Sequence, residues 1–404
     1  MSRVVVLGGC GTVGSIAVET LASYEDISSI VIADIREDAA KKRAESVDAE
    51  LCLPRRVDVT VRESLDEAIQ DADVVLNTCG PFYRFGPTIL SRVIDAGIDY
   101  VDVCDDFDAT RKLLDMDDDA KKVGISALTG MGSSPGIANL LAKFCADHML
   151  DSVDSIDIYH AHGGEPNEGR AVVAHRIHSM QADIPMYLNG KFTTVRYFGE
   201  DGKALEEDVD YKLVGTHRSY PYPHPETITL PQWIECNRVT NLGCVLPDEY
   251  YDLIRGVVRL GITEETPIEV SGVEVEPFEF AMSYILDQRE KILQKTNFGE
   301  QRGCLKITMK GTMEGKTHRF DFSLASKGQS MGEGTGIPAA LGVILMLRGK
   351  IQKKGVLPPE GCVNPLDFLG LMQEQLKMEK VGGEGSPLII ESTDHEGNTE
   401  EISL

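Results

Sequence analysis

Short apolar runs alternate with helical stretches along residues 1–130 of the chain. The runs have the length and β-branching of buried strands, and they cover Val4–Leu7, Ile30–Ala33, a short strand containing Val57–Val59, Asp73–Asn77, Tyr100–Val103 and Ser126–Leu128. The stretches between them have helical periodicity over Ser15–Leu21, Glu37–Leu51, Ser64–Ile69, Pro87–Ala96 and Ala109–Lys122. Strands separated by helices indicate right-handed βαβ crossovers, so the pattern predicts an α/β fold with a doubly wound parallel sheet.

The pattern changes at Gly130–Gly136, a segment rich in turn-forming residues that opens a helix over Ile137–His148. Residues 131–335 then predict an α+β substrate-binding and dimerisation domain, with an antiparallel or mixed sheet that includes Val153–His160, Phe192–Tyr197, Cys304–Lys310 and His318–Ala325. Residues 336–380 contain two helices, Ile337–Lys350 and Pro365–Met378, which we expect to return to the first domain. Residues 381–404 are polar and acidic, and we interpret them as a peripheral tail or hairpin.

The turn after the first predicted strand carries Gly9, Gly11 and Gly14 in the spacing G-x-G-x-x-G. Gly9 permits a tight turn, Gly11 allows phosphate groups to approach the backbone, and Gly14 lets helix and strand pack closely. Backbone N–H groups and the positive end of the helix dipole meet at this turn, which suits a pyrophosphate. Because the motif follows a strand and opens a helix, it predicts a dinucleotide-binding Rossmann domain over residues 1–130.

Asp34 ends the second predicted strand, 20 residues after Gly14. A carboxylate at this place accepts hydrogen bonds from the adenosine ribose hydroxyls and repels a 2′-phosphate, so it favours NAD over NADP. Arg36 follows two residues later and could stack on the adenine or hold that phosphate instead. The sequence therefore predicts a nicotinamide coenzyme and favours NAD, with NADP as the alternative.

The composition excludes some partners without identifying a substrate. The chain of 404 residues has a formal net charge of −25, which argues against binding to nucleic acid or to an anionic membrane surface. No basic segment followed by a long apolar run marks a secretory signal, and the nine cysteines are scattered without a C-x-x-C pair. We therefore expect a cytoplasmic protein with reduced thiols.

Five segments in the same order resemble the saccharopine dehydrogenase family, which includes lysine 6-dehydrogenase and carboxynorspermidine synthase. They are Gly8–Gly14, Asn77–Phe82, Asp99–Cys104, Gly132–Gly136 and Thr335–Ala340. The resemblance covers most of residues 1–375. It implies a Rossmann domain followed by a domain that binds an amino acid or an imine adduct, hydride exchange at the carbon of a C–N bond, and a homodimer.

The same resemblance implies which residues of the first domain bind the coenzyme. Gly11, Thr12 and Val13 would contact the pyrophosphate, and Asp58 and Val59 would contact the adenine. Thr78, Cys79, Gly80 and Pro81 would run beside the nicotinamide ribose. The segment Asp102–Asp105 would lie near the substrate, with Asp102 counted among the coenzyme-binding residues.

Oxidising an amine or reducing an imine requires a group that handles the proton of the nitrogen and cations that hold substrate carboxylates. Asp105 follows a predicted strand and is the preferred acid–base or ammonium-binding group, with a helix N-cap as its structural alternative. His224 and Glu226 lie in Tyr220–Glu226, where three prolines limit backbone freedom; a rigid surface loop is the alternative there. The substrate-binding candidates are Asp106, Arg170, Arg176, Arg218 and Arg238, with a surface ion pair as the favoured alternative for any single arginine.

Two patterns point to other chemistry, and we set both aside. His160 and His162 lie on one face of a predicted strand, but no third ligand has suitable spacing, so we expect no metal site. Tyr187–Lys191 matches Tyr-x-x-x-Lys, which in short-chain reductases needs a helical turn. Asn189 and Gly190 form a chain reversal instead.

The sequence therefore predicts an NAD(P)-dependent oxidoreductase that acts on the C–N bond of an amino acid or of its imine conjugate, in the manner of saccharopine dehydrogenase or lysine 6-dehydrogenase. One alternative is the reductive condensation of a polyamine, as in a carboxynorspermidine synthase. The other is a non-catalytic NAD-binding regulator. The exact substrate and the direction of the reaction stay open.

Overall fold

The computed structural model describes residues 2–165, 168–327, 331–378 and 388–403. The strands of these residues are, in chain order, β1 (Ser2–Leu7), β2 (Ile27–Asp34), β3 (Cys52–Arg56), β4 (Val74–Asn77), β5 (Asp99–Asp102), β6 (Ser126–Leu128), β7 (Ser152–Gly163), β8 (Asp183–Leu188), β9 (Lys191–Arg196), β10 (Glu207–Tyr211), β11 (Gly215–Pro221), β12 (Arg238–Leu246), β13 (Ile268–Val270), β14 (Val273–Val275), β15 (Arg302–Met313), β16 (Lys316–Lys327), β17 (Gly355–Leu357), β18 (Leu388–Thr393) and β19 (Thr399–Ile402).

The helices are α1 (Thr12–Ala22), α2 (Glu37–Val47), α3 (Arg62–Ile69), α4 (Phe82–Ala96), α5 (Phe107–Leu114), α6 (Asp117–Val123), α7 (Ile137–His148), α8 (Arg170–Gln181), α9 (Glu200–Lys203), α10 (Glu226–Thr229), α11 (Asp248–Arg259), α12 (Pro277–Thr296), α13 (Met331–Leu347), α14 (Pro359–Cys362) and α15 (Pro365–Met378). A short 3₁₀ helix covers Leu230–Gln232. Among the described residues, no helix is long and apolar enough to span a membrane.

The described residues divide into two compact units. The first unit contains residues 2–149, 224–234 and 331–378, and the second contains residues 150–165, 168–223, 235–327 and 388–403. Residues 131–149 and 224–234, which the sequence interpretation places in the second domain, thus lie in the first unit. So do the C-terminal helices α13 and α15, in the same unit as the dinucleotide-binding motif.

The first unit is built on a seven-stranded sheet in the order β17-β6-β5-β4-β1-β2-β3. Every pair of neighbouring strands in it is parallel. The central strands are buried on both faces, as Val4, Val5 and Val6 at 0% exposure illustrate, which explains their continuous apolar sequence. The predicted doubly wound α/β domain is confirmed.

The third predicted strand is wrong in its position. The structure places β3 at Cys52–Arg56, paired with β2, whereas Val57–Val59 follow the strand. Because β3 is an edge strand, it tolerates Pro54 and exposed arginine side chains, and it therefore lacks the apolar run on which the prediction relied.

Several helix boundaries also differ from the prediction. Helix α4 begins at Phe82 and α13 at Met331, and each has a proline inside it, at Pro87 and Pro338. The single helix predicted over Ala109–Lys122 is two helices, α5 and α6, because the acidic first turn of α6, Asp117–Asp119, favours a new helix N-terminus there.

A glycine allows close packing between the two helices α1 and α13. A Cβ atom on Gly336 of α13 would lie 2.7 Å from the carbonyl oxygen of Val13 and 2.9 Å from Cβ of Ile16. Helix α13 therefore supports the first turns of α1, the helix that follows the glycine motif.

The second unit contains a ten-stranded mixed sheet, which confirms the α+β expectation for that region. Strands β7 and β12 are parallel, and β7, β15 and β16 form antiparallel pairs. Strands β8 and β9 form a hairpin with Asn189 and Gly190 at its turn, both with positive φ, so Tyr187–Lys191 is not helical. Strands β18 and β19 form a hairpin that extends this sheet, while residues 381–387 and 404 of the predicted tail lie outside the described residues.

We expect Gly336→Ala to lower the free energy of unfolding by about 1–3 kcal/mol, because its methyl group would overpack the contact between α13 and α1. Gly334→Ala in the same helix is the matched control, since a Cβ there meets no atom within 4 Å. That control should be neutral or slightly stabilising. Urea unfolding of both variants measures the difference, and equal midpoints would contradict the packing described.

Candidate active site

The glycine motif forms a tight turn between β1 and α1. The amide of Gly8 donates to the carbonyl of Ala33 at 2.8 Å, and the amide of Gly11 donates to the carbonyl of Gly8 at 2.9 Å. A Cβ on Gly14 would lie 2.3 Å from that same Gly8 carbonyl oxygen, so only glycine fits. The close approach brings α1 directly over the end of β1.

The first turn of α1 presents backbone amides at the carboxyl edge of the sheet. Gly11 is its N-cap, and Thr12, Val13 and Gly14 begin the helix, so their N–H groups have no carbonyl partner within it. The glycines leave room beside the backbone that a Cβ atom would fill. This space, the free amides of the first turn and the positive end of the α1 dipole together fit a pyrophosphate group. Gly9 belongs to the same turn, with its own Cβ position 2.9 Å from Cγ2 of Ile32.

Asp34 ends β2 beside the glycine turn and is 7% exposed. Its carboxylate accepts hydrogen bonds from the backbone amides of Cys10 at 3.2 Å and Arg36 at 3.0 Å, and from Nε of Arg36 at 3.1 Å. Burial alone would raise the pKa of Asp34, but the bonds from Arg36 and the Cys10 amide hold it below its usual value. The Arg36 side chain is exposed and also donates to the Cys10 carbonyl at 3.1 Å.

Thr78–Pro81 follows β4 at the same edge of the sheet. Oγ1 of Thr78 donates to the Leu7 carbonyl at 2.7 Å, and the Cys79 amide donates to Oδ1 of buried Asn77 at 2.9 Å. Gly80 and Pro81 then lead into α4, for which Pro81 is the N-cap. These bonds fix the segment against the glycine turn.

The thiols near this edge are not activated. Burial and the charge of Asp34 raise the pKa of Cys10 to about 11 and that of Cys79 to about 12. Burial and Asp102 raise the pKa of Cys104 above its ordinary value as well. All three are therefore protonated thiols at neutral pH.

Two coenzyme candidates have local structural roles. Asp58 accepts hydrogen bonds from the amide of Thr60 at 3.0 Å and from its hydroxyl at 2.6 Å, just after β3, with Val59 in the same turn. Asp102 is fully buried and accepts from the amides of Cys104 at 3.0 Å and Gly130 at 2.8 Å. Asp102 thus fixes the two loops that follow β5 and β6, and it cannot contact a ligand directly in this arrangement.

Asp105 and Asp106 follow β5. Oδ2 of Asp106 accepts a hydrogen bond from the Tyr83 amide at 3.1 Å, which joins this loop to the start of α4, and Asp106 is also the N-cap of α5. Asp105 is half-buried. The charges of Asp105 and Asp106 both raise the pKa of His224.

His224 and Glu226 lie in the first unit, together with Ser134 from the loop after β6. Nδ1 of His224 lies 3.1 Å from Oε2 of Glu226, and the Ser134 hydroxyl donates to Oε1 of the same carboxylate. Glu226 is 0% exposed and His224 is 8% exposed. The three side chains form one buried hydrogen-bonded group.

Burial opposes the charged form of His224, but neighbouring carboxylates outweigh it. Glu226 acts first, through its charge and its hydrogen bond, and the charges of Asp105 and Asp106 add to it. The pKa of His224 is therefore raised above its ordinary value. An imidazole in this setting keeps its proton to a higher pH and can act as a general acid near neutrality.

A second set of buried polar residues, which sequence reasoning missed, adjoins this group. Nδ2 of Asn139 donates to Oε2 of Glu360 at 2.9 Å and lies 3.5 Å from Oγ1 of Thr229, and Oδ1 of Asn139 accepts from the Gly136 amide at 2.9 Å. Asn139 stands in the otherwise apolar stretch that opens α7, which is a local signal of a buried polar role. Glu360 has no comparable local signal.

The four arginine candidates for carboxylate binding lie in the second unit, each in an ion pair within that unit. Arg170 pairs with Glu279 and Arg218 with Asp208, and both arginines are exposed. Arg176 is buried against Glu168, and Arg238 lies 2.7 Å from Asp157. Each guanidinium is therefore already balanced by a carboxylate.

The histidines of β7 pack as aromatic groups. The rings of His160 and His162 are stacked with centroids 6.3 Å apart, and His160 contacts Tyr222 edge-on at 4.8 Å. In the parts of the chain that the structure describes, no group of three or more His, Cys, Asp or Glu side chains is placed to hold a metal ion.

Comparison with known proteins assigns both parts of the chain to one family. Residues 4–128 match the saccharopine dehydrogenase NADP binding domain, and residues 132–379 match the saccharopine dehydrogenase C-terminal domain. The five segments that carried the resemblance lie within these two ranges.

Full-length relatives agree. The chain is 23% identical to carboxyaminopropylagmatine dehydrogenase of Synechocystis sp., over 93% of this chain and 96% of the relative. It is 22% identical to carboxynorspermidine synthase of Vibrio alginolyticus, over 94% and 98%. The fold matches saccharopine dehydrogenase (L-Glu forming) of Saccharomyces cerevisiae with a TM-score of 0.67 at 18% identity, covering 100% of both chains.

The chain thus matches the family along nearly its whole length. The matched residues include the glycine turn, Asp34 at the end of β2 and the buried His224–Glu226 pair. The coenzyme is a nicotinamide dinucleotide, and the reaction class is that of dehydrogenases acting on amines or imines. The chain belongs to the saccharopine dehydrogenase family of NAD(P)-dependent oxidoreductases.

Proposed function

We propose that this protein joins an amine to a carboxylate-bearing aldehyde by reducing the imine that they form, and that the product is a carboxyalkyl derivative of a polyamine or a related cationic amine. The observation that carries the proposal is the buried hydrogen-bonded pair of His224 and Glu226, in the unit that holds the glycine turn. The charges of Asp105 and Asp106 also act on His224. That arrangement supplies a proton donor together with negative charge for a cationic substrate.

The proton balance of the reaction requires an acid of this kind. Amine and aldehyde first form a carbinolamine, which loses its hydroxyl group as water when an acid protonates it and leaves an iminium ion. A bound nicotinamide coenzyme supplies the hydride that converts the iminium carbon to an amine. The neutral secondary amine then takes up a proton from solution, and the reverse reaction needs a base to remove it.

Different residues of this chain donate the proton, orient the donor and bind the substrate. His224 donates the proton to the departing hydroxyl group, and Glu226 stabilises the imidazolium form before the transfer. Ser134 fixes the second oxygen of Glu226 and so fixes the direction of the imidazole. Asp105 and Asp106 attract the cationic amine. The glycine turn and Asp34 would hold the pyrophosphate and the ribose of the coenzyme.

The names of the relatives favour this substrate class over lysine. Carboxyaminopropylagmatine dehydrogenase and the carboxynorspermidine synthases are named for carboxyalkyl derivatives of cationic amines. The acidic surroundings of His224 suit such a cation. The second candidate is a saccharopine-type or lysine-type reaction, which the family and its fold also accommodate.

We propose NAD as the coenzyme. Asp34 is ionised and fixed by backbone amides, so its charge would repel a 2′-phosphate. Arg36 is the residue that could reverse this preference, because its exposed guanidinium could turn from Asp34 to a phosphate. Asp34 and Arg36 together therefore determine the choice of coenzyme.

We also propose a cytoplasmic location and a homodimer. All nine cysteines are free thiols, which suits a reducing compartment. The homodimer rests on the family resemblance alone, and sedimentation velocity on the purified chain would measure the mass that decides it.

For the coenzyme, we expect Asp34→Ala to weaken NADH binding by about tenfold or more, because the ribose loses its acceptor. NADPH binding should weaken less or improve. Arg36→Ala is the matched variant, and it should leave NADH affinity nearly unchanged. Fluorescence titration of both coenzymes measures the four affinities. Selective loss of NADPH binding in Arg36→Ala, with tighter NADPH than NADH binding in the unaltered protein, would reassign the coenzyme to NADP.

For the reaction, we expect oxidation of the reduced coenzyme when aspartate semialdehyde is mixed with agmatine or putrescine. That aldehyde yields a carboxyaminopropyl group on condensation. His224→Gln should lower kcat by roughly 10²–10⁴-fold, because the proton donor is lost. His148→Gln, an exposed histidine of the same unit, is the matched control and should keep full activity.

Absorbance of the reduced nicotinamide follows these rates, with lysine as the competing amine. Turnover with lysine alone would move the assignment to the lysine-type reaction. Absence of turnover with every amine, in a protein that binds the coenzyme tightly, would contradict a catalytic function.

A further inference from the structure

A second buried carboxyl group, that of Glu360, lies near enough to Glu226 to feel its charge. Glu360 is on the short helix α14 and is 3% exposed. It lies in the same unit as His224 although 136 positions separate the two residues in the sequence. The reaction proposed above makes no use of it, and a buried carboxyl group with no role is costly.

Hydrogen bonds connect Glu360 to both elements that carry the candidate active site. Its Oε2 accepts from Nδ2 of Asn139, and Oδ1 of Asn139 accepts from the amide of Gly136, which ends the loop of Ser134. Nδ2 of Asn139 also lies 3.5 Å from Oγ1 of Thr229, the last residue of α10. Glu226 is the first residue of that helix, so Glu360 helps to fix the positions of both Ser134 and Glu226.

The charge of Glu360 is coupled to the same group. Burial and, to a smaller extent, the charge of Glu226 raise the pKa of Glu360 to about 7, although hydrogen bonds from Thr229 and Asn139 oppose the rise. Glu360 is thus neutral in mildly acidic solution and becomes negatively charged within the range in which a dehydrogenase works. Its ionisation would place a second negative charge near that of Glu226.

We propose that Glu360 is a positioning residue that acts on His224 through Glu226: its hydrogen bonds hold the two elements that carry the pair, and its ionisation strengthens the attachment of the proton to His224. The proposal rests on the proposed role of His224 as the proton donor. The coupling between the two carboxyl groups themselves does not depend on the identity of the substrate.

The other titratable groups that face Glu360 do not replace this effect. Cys362 of the same helix has its pKa raised to about 12 by burial and by Glu360, so it stays a neutral thiol. Lys353 donates to the carbonyl of Gly361 at 2.6 Å, and its ammonium group lies over the ring of Trp233. Glu226 is therefore the group that feels the ionisation of Glu360.

The variant that isolates the charge is Glu360→Gln, which keeps the size of the side chain and an oxygen acceptor for Asn139. Above the pKa of Glu360, the unaltered protein carries the additional negative charge and the variant does not. His224 should therefore lose its proton at a pH lower by at least about 0.5 unit in the variant. Below that pKa the two proteins carry the same charge, and their rates should agree within about twofold.

Histidine-selective NMR titration of the full-length protein measures the proton affinity directly, with the His224 signal assigned from its loss in His224→Gln. The unaltered protein should show a His224 titration with two steps, one of them from Glu360, and Glu360→Gln should show a single step. Glu63→Gln, an exposed glutamate of the same unit, is the charge-matched control and should leave His224 unchanged. Asn139→Ala should lower the rate and move the Glu360 step of the His224 titration to higher pH, because Glu360 loses a hydrogen bond that lowers its pKa.

The alkaline limb of kcat/KM, measured in the same variants, should move with the NMR value. A single-step titration of His224 in the unaltered protein would overturn the proposal even if Glu360→Gln fails to fold. An unchanged His224 titration in a folded Glu360→Gln variant would also overturn it. If the NMR shift occurs in a protein without turnover on any amine, the coupling stands and the proposed reaction fails.

Discussion

The buried carboxylate of Glu226 is the interaction on which the candidate active site depends. It is fully excluded from solvent, and its two oxygens are bound by different elements, one by the Ser134 hydroxyl and the other by His224. A buried charge of this kind is stable only when its partners are in place. The loop after β6 and the short helix α10 are therefore held together, and the imidazole has one direction and a raised pKa.

The parallel sheet explains why the remaining groups meet at one edge. All strands of the first unit point the same way, so the glycine turn, Asp34, Thr78–Pro81 and Asp105 all follow carboxyl ends of strands. Two glycines make this arrangement compact, Gly14 within the turn and Gly336 where α13 meets α1. The family resemblance places Asp102 among the coenzyme-binding residues. In the structure its buried carboxylate accepts hydrogen bonds from the loops after β5 and β6 and so holds them together.

Local signals in the sequence were enough for the fold of the first unit and for the prediction of a nicotinamide coenzyme. The apolar strands, the glycine spacing and the carboxylate at the end of β2 are each readable within a few residues, because each depends on its neighbours along the chain. The position of β3 was not predicted, because an edge strand needs no apolar run. The proline-rich segment Tyr220–Glu226 was singled out for its limited backbone freedom. The place of His224 and Glu226 in the first unit depends on contacts distant in sequence.

The partners of the site residues could not be predicted in the same way. Asn139 and Glu360 are 221 positions apart, and nothing near Glu360 in the sequence marks it as buried. The ion-pair partners of the four arginine candidates could not be predicted either, since a positive side chain in the sequence does not indicate which carboxylate neutralises it. Arg176 and Glu168 form such a pair within the second unit.

We propose above all that the chain reduces a C–N double bond and not a free carbonyl group. Mass spectrometry of the product formed with deuterated reduced coenzyme tests it most directly, with aspartate semialdehyde and agmatine as the reactants. We predict a secondary amine that carries one deuterium on the carbon of the new C–N bond. Deuterium in an alcohol derived from the aldehyde, with no coupled amine, would contradict the claim.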